Sequence, residues 1–375
     1  MGRMKLLSIQ LKNFRKHKET NLTFSEKLNF IVGSNGAGKT TILEAINYLC
    51  TNKNFNTRTD SEVVLFGENI FEIEGNIKKN IENKVRVYYS LEENKKTYLK
   101  NQKKINRSVD IVGSFPIVTL TPADLFITKG FPGDRRKFVD SILCQASKTY
   151  LNNLLDYNKT TKQRASLLYL LKTNNSQELR KELESWNEKL IQTGLNLIKK
   201  RIEFIKEFRM FVKESFTEIM ETEENPEISY SFLENHGEEN TNIEQKFREL
   251  LSVKKAEELK RSVNLVGPHR DEFIFLINNV DLKKYGSQGQ HKTFQIALRF
   301  AEFFYLKQLR GITPLFLLDD VFGKLDSLRA KKISNYLRKV GQAFVTVTDL
   351  ADFSFFNRQS DDKIIKIEEG ITSYA

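Results

Sequence analysis

Gly33-Ser34-Asn35-Gly36-Ala37-Gly38-Lys39-Thr40 is an uninterrupted G-x-x-x-x-G-K-[ST]. The apolar run Leu28-Asn29-Phe30-Ile31-Val32 precedes it and the helical pattern Thr41-Ile42-Leu43-Glu44-Ala45-Ile46 follows. Strand, glycine loop and helix in that order predict a phosphate-binding P-loop. Glycines let backbone N–H groups turn inward around phosphate oxygens, and the helix N-terminus adds partial positive charge. Lys39 is expected to reach the β- and γ-phosphates of a nucleotide and Thr40 to hold Mg²⁺. The four fixed positions match by chance in about one chain in a hundred of this length. The flanking strand and helix make the coincidence rarer.

With 375 residues, 39% hydrophobic and 29% charged, the chain has the composition of a soluble globular protein of one to three domains. No apolar stretch approaches the ~20 residues of a membrane span. The start, Met1-Gly2-Arg3-Met4-Lys5, leads into a strand pattern and does not read as a signal peptide. Cys50 and Cys144 are far apart with no C-x-x-C, which argues for a reducing, cytoplasmic setting and against a zinc site or disulfide framework. The net charge is +12. A polyanionic partner, nucleic acid, explains that excess, and so does a lysine-rich solvated surface; charge alone does not choose.

The N-terminal part reads as strands: Leu6 to Phe14, Leu22 to Phe24, Leu28 to Val32, Val63 to Phe66, Phe71 to Ile77 and Val85 to Leu91. Alternation in the last two predicts antiparallel strands with one wet face, and Lys95 to Lys100 pairs back through Glu92-Glu93-Asn94. From Asp134 to about Met220 the pattern is helical. An apolar stripe runs through Leu183, Trp186, Leu190, Ile198, Ile202, Ile205, Phe208, Val212, Phe216 and Ile219, with Leu151 to Leu171 as its antiparallel partner. Such a stripe serves a subdomain core or a short projecting lever equally well. After an acidic break from Glu221 to Asn242, strands resume at Phe273 to Ile277. A helix fills Thr293 to Leu309, and the buried strands Leu315 to Leu318 and Ala343 to Val347 flank a helix from Ser327 to Val340. Both chain ends therefore form one α/β unit with a helical lobe inserted. The expected division is a head of 1–120 plus 262–375 and a mainly helical lobe of 121–261, with 285–293 at their junction.

Two further patterns complete the site. Pro314-Leu315-Phe316-Leu317-Leu318-Asp319-Asp320 is an apolar strand ending in two carboxylates. Beside a P-loop this is a Walker B arrangement, with Asp319 in the Mg²⁺ shell and Asp320 as the residue that orients or deprotonates the attacking water. Ser287-Gln288-Gly289-Gln290 resembles the S-G-G-Q signature of ABC-type ATPases, in which Ser287, Gly289 and Gln290 meet nucleotide held by a second subunit. Phe322-Gly323-Lys324-Leu325-Asp326 matches the D-loop that crosses such a dimer interface. Asn13-Phe14-Arg15 fits the N-F-R of chromosome and repair ATPases, where the Arg approaches the phosphates.

Together these segments resemble the RecF family of bacterial recombination and gap-repair ATPases, relatives of the SMC proteins without long coiled coils. The resemblance covers nearly the whole length. It includes Pro122-Ala123-Asp124, Gly130-Phe131-Pro132-Gly133-Asp134-Arg135-Arg136-Lys137-Phe138-Val139-Asp140 and Gly267-Pro268-His269-Arg270-Asp271. Ala123 departs from the family's usual acid. Asp349, after the last strand, stands where ABC transporters carry a switch His, leaving γ-phosphate sensing to Thr346 or Thr348. The resemblance implies an ABC-type ATPase head with ATP and Mg²⁺ as cofactors, and Gly33 to Thr41 plus Arg15 around the nucleotide. Lys39 and Asp320 would be catalytic, Thr40 and Asp319 would hold the metal, and Asp326 would sit in the D-loop. It implies an ATP-dependent homodimer that clamps gapped DNA at single-/double-strand junctions, with RecR, RecO and RecA in the same pathway and no membrane partner. The DNA-contacting residues stay open at this stage; Arg135, Arg136 and Lys137 read as structural or near-nucleotide.

Overall fold

The computed structural model describes residues 2–57, 59–174, 176–220, 223–234, 242–322, 325–348, 356, 358–368 and 370–374. The chain forms two compact units. One comprises Met1–Asp124, Glu214–Thr222 and Ile296–Ala375, the other Leu125–Lys213 and Glu223–Gln295.

The first unit holds two six-stranded sheets. One runs in the order Ile371–Tyr374, Lys363–Glu368, Leu28–Val32, Ala343–Val347, Leu315–Leu318, Ile117–Leu120 and is parallel apart from its terminal hairpin. Its central strands Leu28–Val32, Ala343–Val347 and Leu315–Leu318 are buried at every position, as strands covered on both faces must be. The other sheet is antiparallel, in the order His17–Thr23, Lys5–Phe14, Ile70–Lys78, Glu82–Ser90, Lys95–Lys100, Lys103–Lys104. Ile70–Lys78 alternates buried and half-buried residues, which is the one-wet-face pattern read in the sequence.

The helix Lys39–Thr51 packs against strands of both sheets, so every residue from Thr41 to Cys50 is buried. Ile42, Leu43, Ile46 and Leu49 join Leu11, Phe14, Phe71, Ile73, Leu317 and Phe344 in one core. Burying each such side chain contributes about 1.5–3 kcal/mol. Gly75 marks the closest approach of helix to sheet: a Cβ there would stand 2.4 Å from Leu49 Cδ1. The segment read as a strand at Val63 to Phe66 is different. Asp60–Val63 is a 3₁₀ turn, and only an isolated bridge joins Val64 to Phe14. Phe66 is fully exposed, so this apolar run lacks a partner strand to make it one.

The second unit contains the helices Pro132–Ala146, Lys148–Thr173 and Ile243–Arg261, the helix Gln177–Ile219 up to Lys213, and a three-stranded antiparallel sheet of Pro226–Ser231, Glu272–Ile277 and Val280–Asp281. Gln177–Ile219 is 43 residues, about 65 Å. Its stripe is core: Leu190, Ile198, Ile205, Phe208 and Val212 are buried. Leu183 packs with Leu167, Leu168 and Leu171 of the antiparallel helix. Residues 262–295, which the sequence reading assigns to the head, fall in this second unit. The reason is Glu272–Ile277, which pairs in unbroken register with Pro226–Ser231.

Buried charges in this unit are paired. Arg164 Nη2 lies 2.5 Å from Glu258 Oε2, and its other nitrogens donate to Asn187 and Asn264. His269 is held neutral. Its Nδ1 lies 2.6 Å from Tyr157 Oη and its Nε2 lies 3.1 Å from the Asn264 carbonyl, a tautomer in which Nε2 donates and Nδ1 accepts. Burial pushes the imidazole down to about 4. The unfolded state therefore takes up this proton first as pH falls. The His269 contribution is fully present above about pH 6.5 and is lost on the way to about pH 4. Unfolding at a series of pH values should show roughly 2–3 kcal/mol less acid destabilisation in His269→Gln than in the wild type over that window. Parallel curves would remove His269 as the cause.

Candidate functional site

The strand Leu28–Val32 delivers the loop from the centre of the parallel sheet. Gly36 and Gly38 have φ of 80° and 111°, values that L side chains rarely adopt. The helix Lys39–Thr51 begins with no side-chain cap and no acid in its first turn, so its N-terminal N–H groups and dipole are left to an anion. Lys39 Nζ donates to the carbonyls of Gly33 at 2.6 Å and Ser34 at 3.0 Å. Burial lowers the pKa of Lys39, against the pull of Asp320 and Asp319.

The strand Leu315–Leu318 brings Asp319 to the same place. Asp319 Oδ1 accepts hydrogen bonds from Thr40 Oγ1 at 2.8 Å and Thr346 Oγ1 at 2.9 Å. Burial raises the Asp319 carboxyl above its usual range, partly offset by those two bonds. Asp320 sits at φ 48°, an uncommon conformation for a non-glycine residue that concentrates at functional sites. Its N–H donates to Thr346 Oγ1 at 2.8 Å. Thr346, read from sequence as a candidate phosphate sensor, thus bridges the two aspartates. A cavity of about 290 Å³ joins Arg15, Asn35, Gly36, Gly38, Lys39 and Thr40 with Thr41, Asp319, Asp320, Thr346 and Thr348. No cluster of three or more His, Cys, Asp or Glu side chains is arranged for a metal among the described residues. The Thr40 hydroxyl and Asp319 carboxylate are instead two adjacent oxygen donors, a sparse set that would fit Mg²⁺, which one or two carboxylates usually hold together with substrate phosphates.

The Asn13-Phe14-Arg15 corner closes one side. Asn13 and Arg15 both have positive φ, and Arg15 N–H donates to the Val63 carbonyl at 2.7 Å. Arg15 lines the cavity, yet its guanidinium grips Glu44 through two bonds of 2.6 and 2.8 Å. Two neighbours not singled out in the sequence also touch the loop. Lys16 Nζ donates to the Gly36 carbonyl at 2.9 Å. Fully buried His17 places Nε2 3.3 Å from the Gly38 carbonyl and Nδ1 2.9 Å from Thr20 Oγ1. Their only sequence signal is adjacency to the N-F-R.

Ser287 and Gln290 lie in the second unit and cap the helix Gln288–Arg310 reciprocally. Ser287 Oγ accepts from Gln290 N–H at 3.2 Å and Gln290 Oε1 accepts from Ser287 N–H at 2.9 Å, a capping box. Capping uses a lone pair of Ser287, which is exposed, and leaves its O–H able to donate. Gly289 is in the first turn of the same helix. Asp326 caps the helix Ser327–Leu337 by accepting from Arg329 N–H at 2.9 Å. Gly323, Lys324 and Asp349 lie outside the described residues.

The remaining family-like segments make internal contacts. Asp124 holds Arg299 with two bonds of 2.9 and 2.6 Å. Arg135 grips Glu272 at 2.7 and 3.0 Å, and Arg136 donates to the Asp271 carbonyl. Buried Arg201 ties Asp140, Asp271 and the Pro268 carbonyl together. Tyr230 donates to Asp271 from the paired strand.

The AAA ATPase domain family matches residues 4–346. The DNA replication and repair protein RecF of Chloroherpeton thalassium is 39% identical over 362 residues, covering 94% of this chain and 96% of that protein. A solved structure of the recombination mediator protein RecF with ATP, of the RecFOR pathway, is 33% identical. It covers 99% of this chain and 98% of that one with a TM-score of 0.88. An Smc head domain from Pyrococcus furiosus, 16% identical, covers 99% of this chain and 96% of that one with a TM-score of 0.57 and is similar in fold. Identity and coverage at this level, joined to the P-loop and paired aspartates, show that the chain belongs to the RecF family of DNA replication and repair ATPases.

Proposed function

We propose that this chain is an ATP-driven DNA clamp in which hydrolysis acts as a release switch. The observation that carries the reading is the meeting of Thr40 and Asp319 at 2.8 Å, with Lys39 and Asp320 in the same cavity. The glycine loop and the uncapped helix N-terminus bind the phosphate tail, and Lys39 supplies positive charge where the β- and γ-phosphates lie. Thr40 and Asp319 would hold Mg²⁺, which neutralises charge on the phosphate oxygens when bound. Burial destabilises the Asp319 carboxylate, a condition that a bound cation relieves. Asp320 orients the attacking water and takes its proton.

The signature supplies the other half of the reaction site. We read Ser287, Gly289 and Gln290, at the start of the helix Gln288–Arg310, as meeting the γ-phosphate of ATP held by a second copy, with Asp326 at the interface. ATP thereby joins two copies around DNA, and hydrolysis separates them. We read gapped DNA with single-/double-strand junctions as the substrate; the solved relative's place in the RecFOR pathway as a recombination mediator supports DNA as the partner. We further propose RecR as a protein partner, with RecO and RecA in the same pathway. Among the described residues no helix is long and apolar enough to cross a membrane. The excess of positive charge, +12, suits backbone contacts that weaken steeply with salt.

Two substitutions test the site. Lys39→Ala should abolish ATP-dependent dimerisation in sedimentation velocity; unchanged association in ATP would contradict the clamp. Asp320→Asn should bind ATP normally but hydrolyse it about 10²–10⁴-fold more slowly, prolonging the dimer. Normal turnover would remove the assignment of Asp320.

A further inference from the structure

Residues 95–107 contain five lysines and one arginine and no acidic residue. Part of this charge is paired: Lys96 with Asp60 at 2.8 Å and Arg107 with Asp110 at 3.1 Å. The rest is not. Lys100 and Lys103 flank the two-residue turn Asn101–Gln102, both at positive φ, and stand directly opposite each other in the antiparallel pair. Directly opposed like charges weaken a strand pair.

Further cations come from other elements. Lys79 follows the strand Ile70–Lys78. Burial first, then the charges of Arg310 and Lys100, holds its ammonium below the usual lysine range. Arg310 ends the helix Gln288–Arg310 and is fixed by donating Nη2 to the Gly113 carbonyl at 2.9 Å. Lys100 Nζ lies 4.9 Å above the Phe115 ring. Among the described residues, none of Lys79, Lys100, Lys103 or Arg310 makes an ion pair with a carboxylate within 4.0 Å. Glu26, which feels the charge of Lys78, is already engaged by Lys5.

Lysines on an edge strand deter edge-to-edge pairing. That explains Lys103 and Lys104 on the two-residue edge strand. It does not explain Lys79, which follows an interior strand, or Arg310 at a helix end. The backbone brings these segments together. Gly2 N–H donates to the carbonyl of Gly311, next to Arg310, at 3.2 Å. A Cβ on Gly2 would stand 3.2 Å from Oδ1 of Asn80, next to Lys79, and Asn101, next to Lys100, donates to Asn83 at 3.3 Å. Four segments thus converge on one positive patch in a chain whose family acts on DNA.

We propose that Lys79, Lys100 and Lys103 contact the sugar–phosphate backbone of DNA, with Arg310 raising the local positive potential. This rests on the reading of the chain as a DNA clamp. Phosphate oxygens supply the acceptors and the negative charge that the patch lacks. Lysine ammonium groups here position the backbone without reading bases.

The test is anisotropy titration of labelled gapped DNA in ATP across a salt series, using the full chain. Lys79→Glu/Lys100→Glu should bind about tenfold or more weakly, and its slope of log affinity against log salt should be shallower by about two. Lys159→Glu/Lys172→Glu, an equal charge change on exposed helix lysines of the second unit, should keep the wild-type slope. ATP binding should be unchanged in both, and Lys79→Gln/Lys100→Gln should show a smaller loss of the same kind if the reversal variant does not fold. Wild-type affinity and slope in the Lys79/Lys100 variants, or an equal loss in the control, would overturn the patch alone. Absence of DNA binding by the wild type would overturn the clamp reading and the patch with it.

Discussion

The hydrogen bond from Thr40 to Asp319 joins residues 279 positions apart, and the rest of the first unit is arranged around it. It requires the P-loop strand Leu28–Val32 and the strand Leu315–Leu318 to lie in one parallel sheet, separated only by Ala343–Val347. That separating strand contributes Thr346, whose hydroxyl bonds to Asp319 and accepts from the Asp320 backbone. Three neighbouring strand ends therefore fix a hydroxyl, a buried carboxylate and a second carboxylate on strained backbone. Loss of any one strand's register would move its side chain to the opposite face.

Much of this was legible because it is local. A glycine loop between strand and helix, an apolar run ending in Asp-Asp, and period-2 alternation each carry their physics within about ten residues. The long helix was equally legible from its stripe, and packing alone decides that the stripe is core. Less legible was anything settled by a distant partner. Arg15 carries the expected N-F-R context, but its guanidinium is held by Glu44, a pairing that no local pattern announces. Val63 to Phe66 has strand composition without a strand to pair with. Residues 262–295 join the second unit through Pro226–Ser231, a partner strand on the other side of the boundary expected after residue 261.

Ser287-Gln288-Gly289-Gln290 shows how one short sequence satisfies two demands. As a capping box it starts the helix Gln288–Arg310. The same geometry leaves an exposed hydroxyl and a helix N-terminus together, the combination that suits a phosphate. Stability and function are thus not competing explanations for these residues. In the second unit, by contrast, the arginine-rich and Gly-Pro-His-Arg-Asp segments are absorbed by Arg135–Glu272 and by the buried Arg201 network, and their role is to hold the lobe's helices to its sheet.

The central claim is that the hydrolytic site is shared between two copies. Mixing Lys39→Ala with Ser287→Arg and measuring DNA-stimulated ATP hydrolysis tests it most directly. In a mixed dimer the intact P-loop of the Ser287→Arg copy faces the intact signature of the Lys39→Ala copy. The account predicts that two variants inactive alone recover substantial turnover together, rising with the fraction of mixed dimer. A mixture as inactive as its components, while mixed dimers demonstrably form, would contradict it.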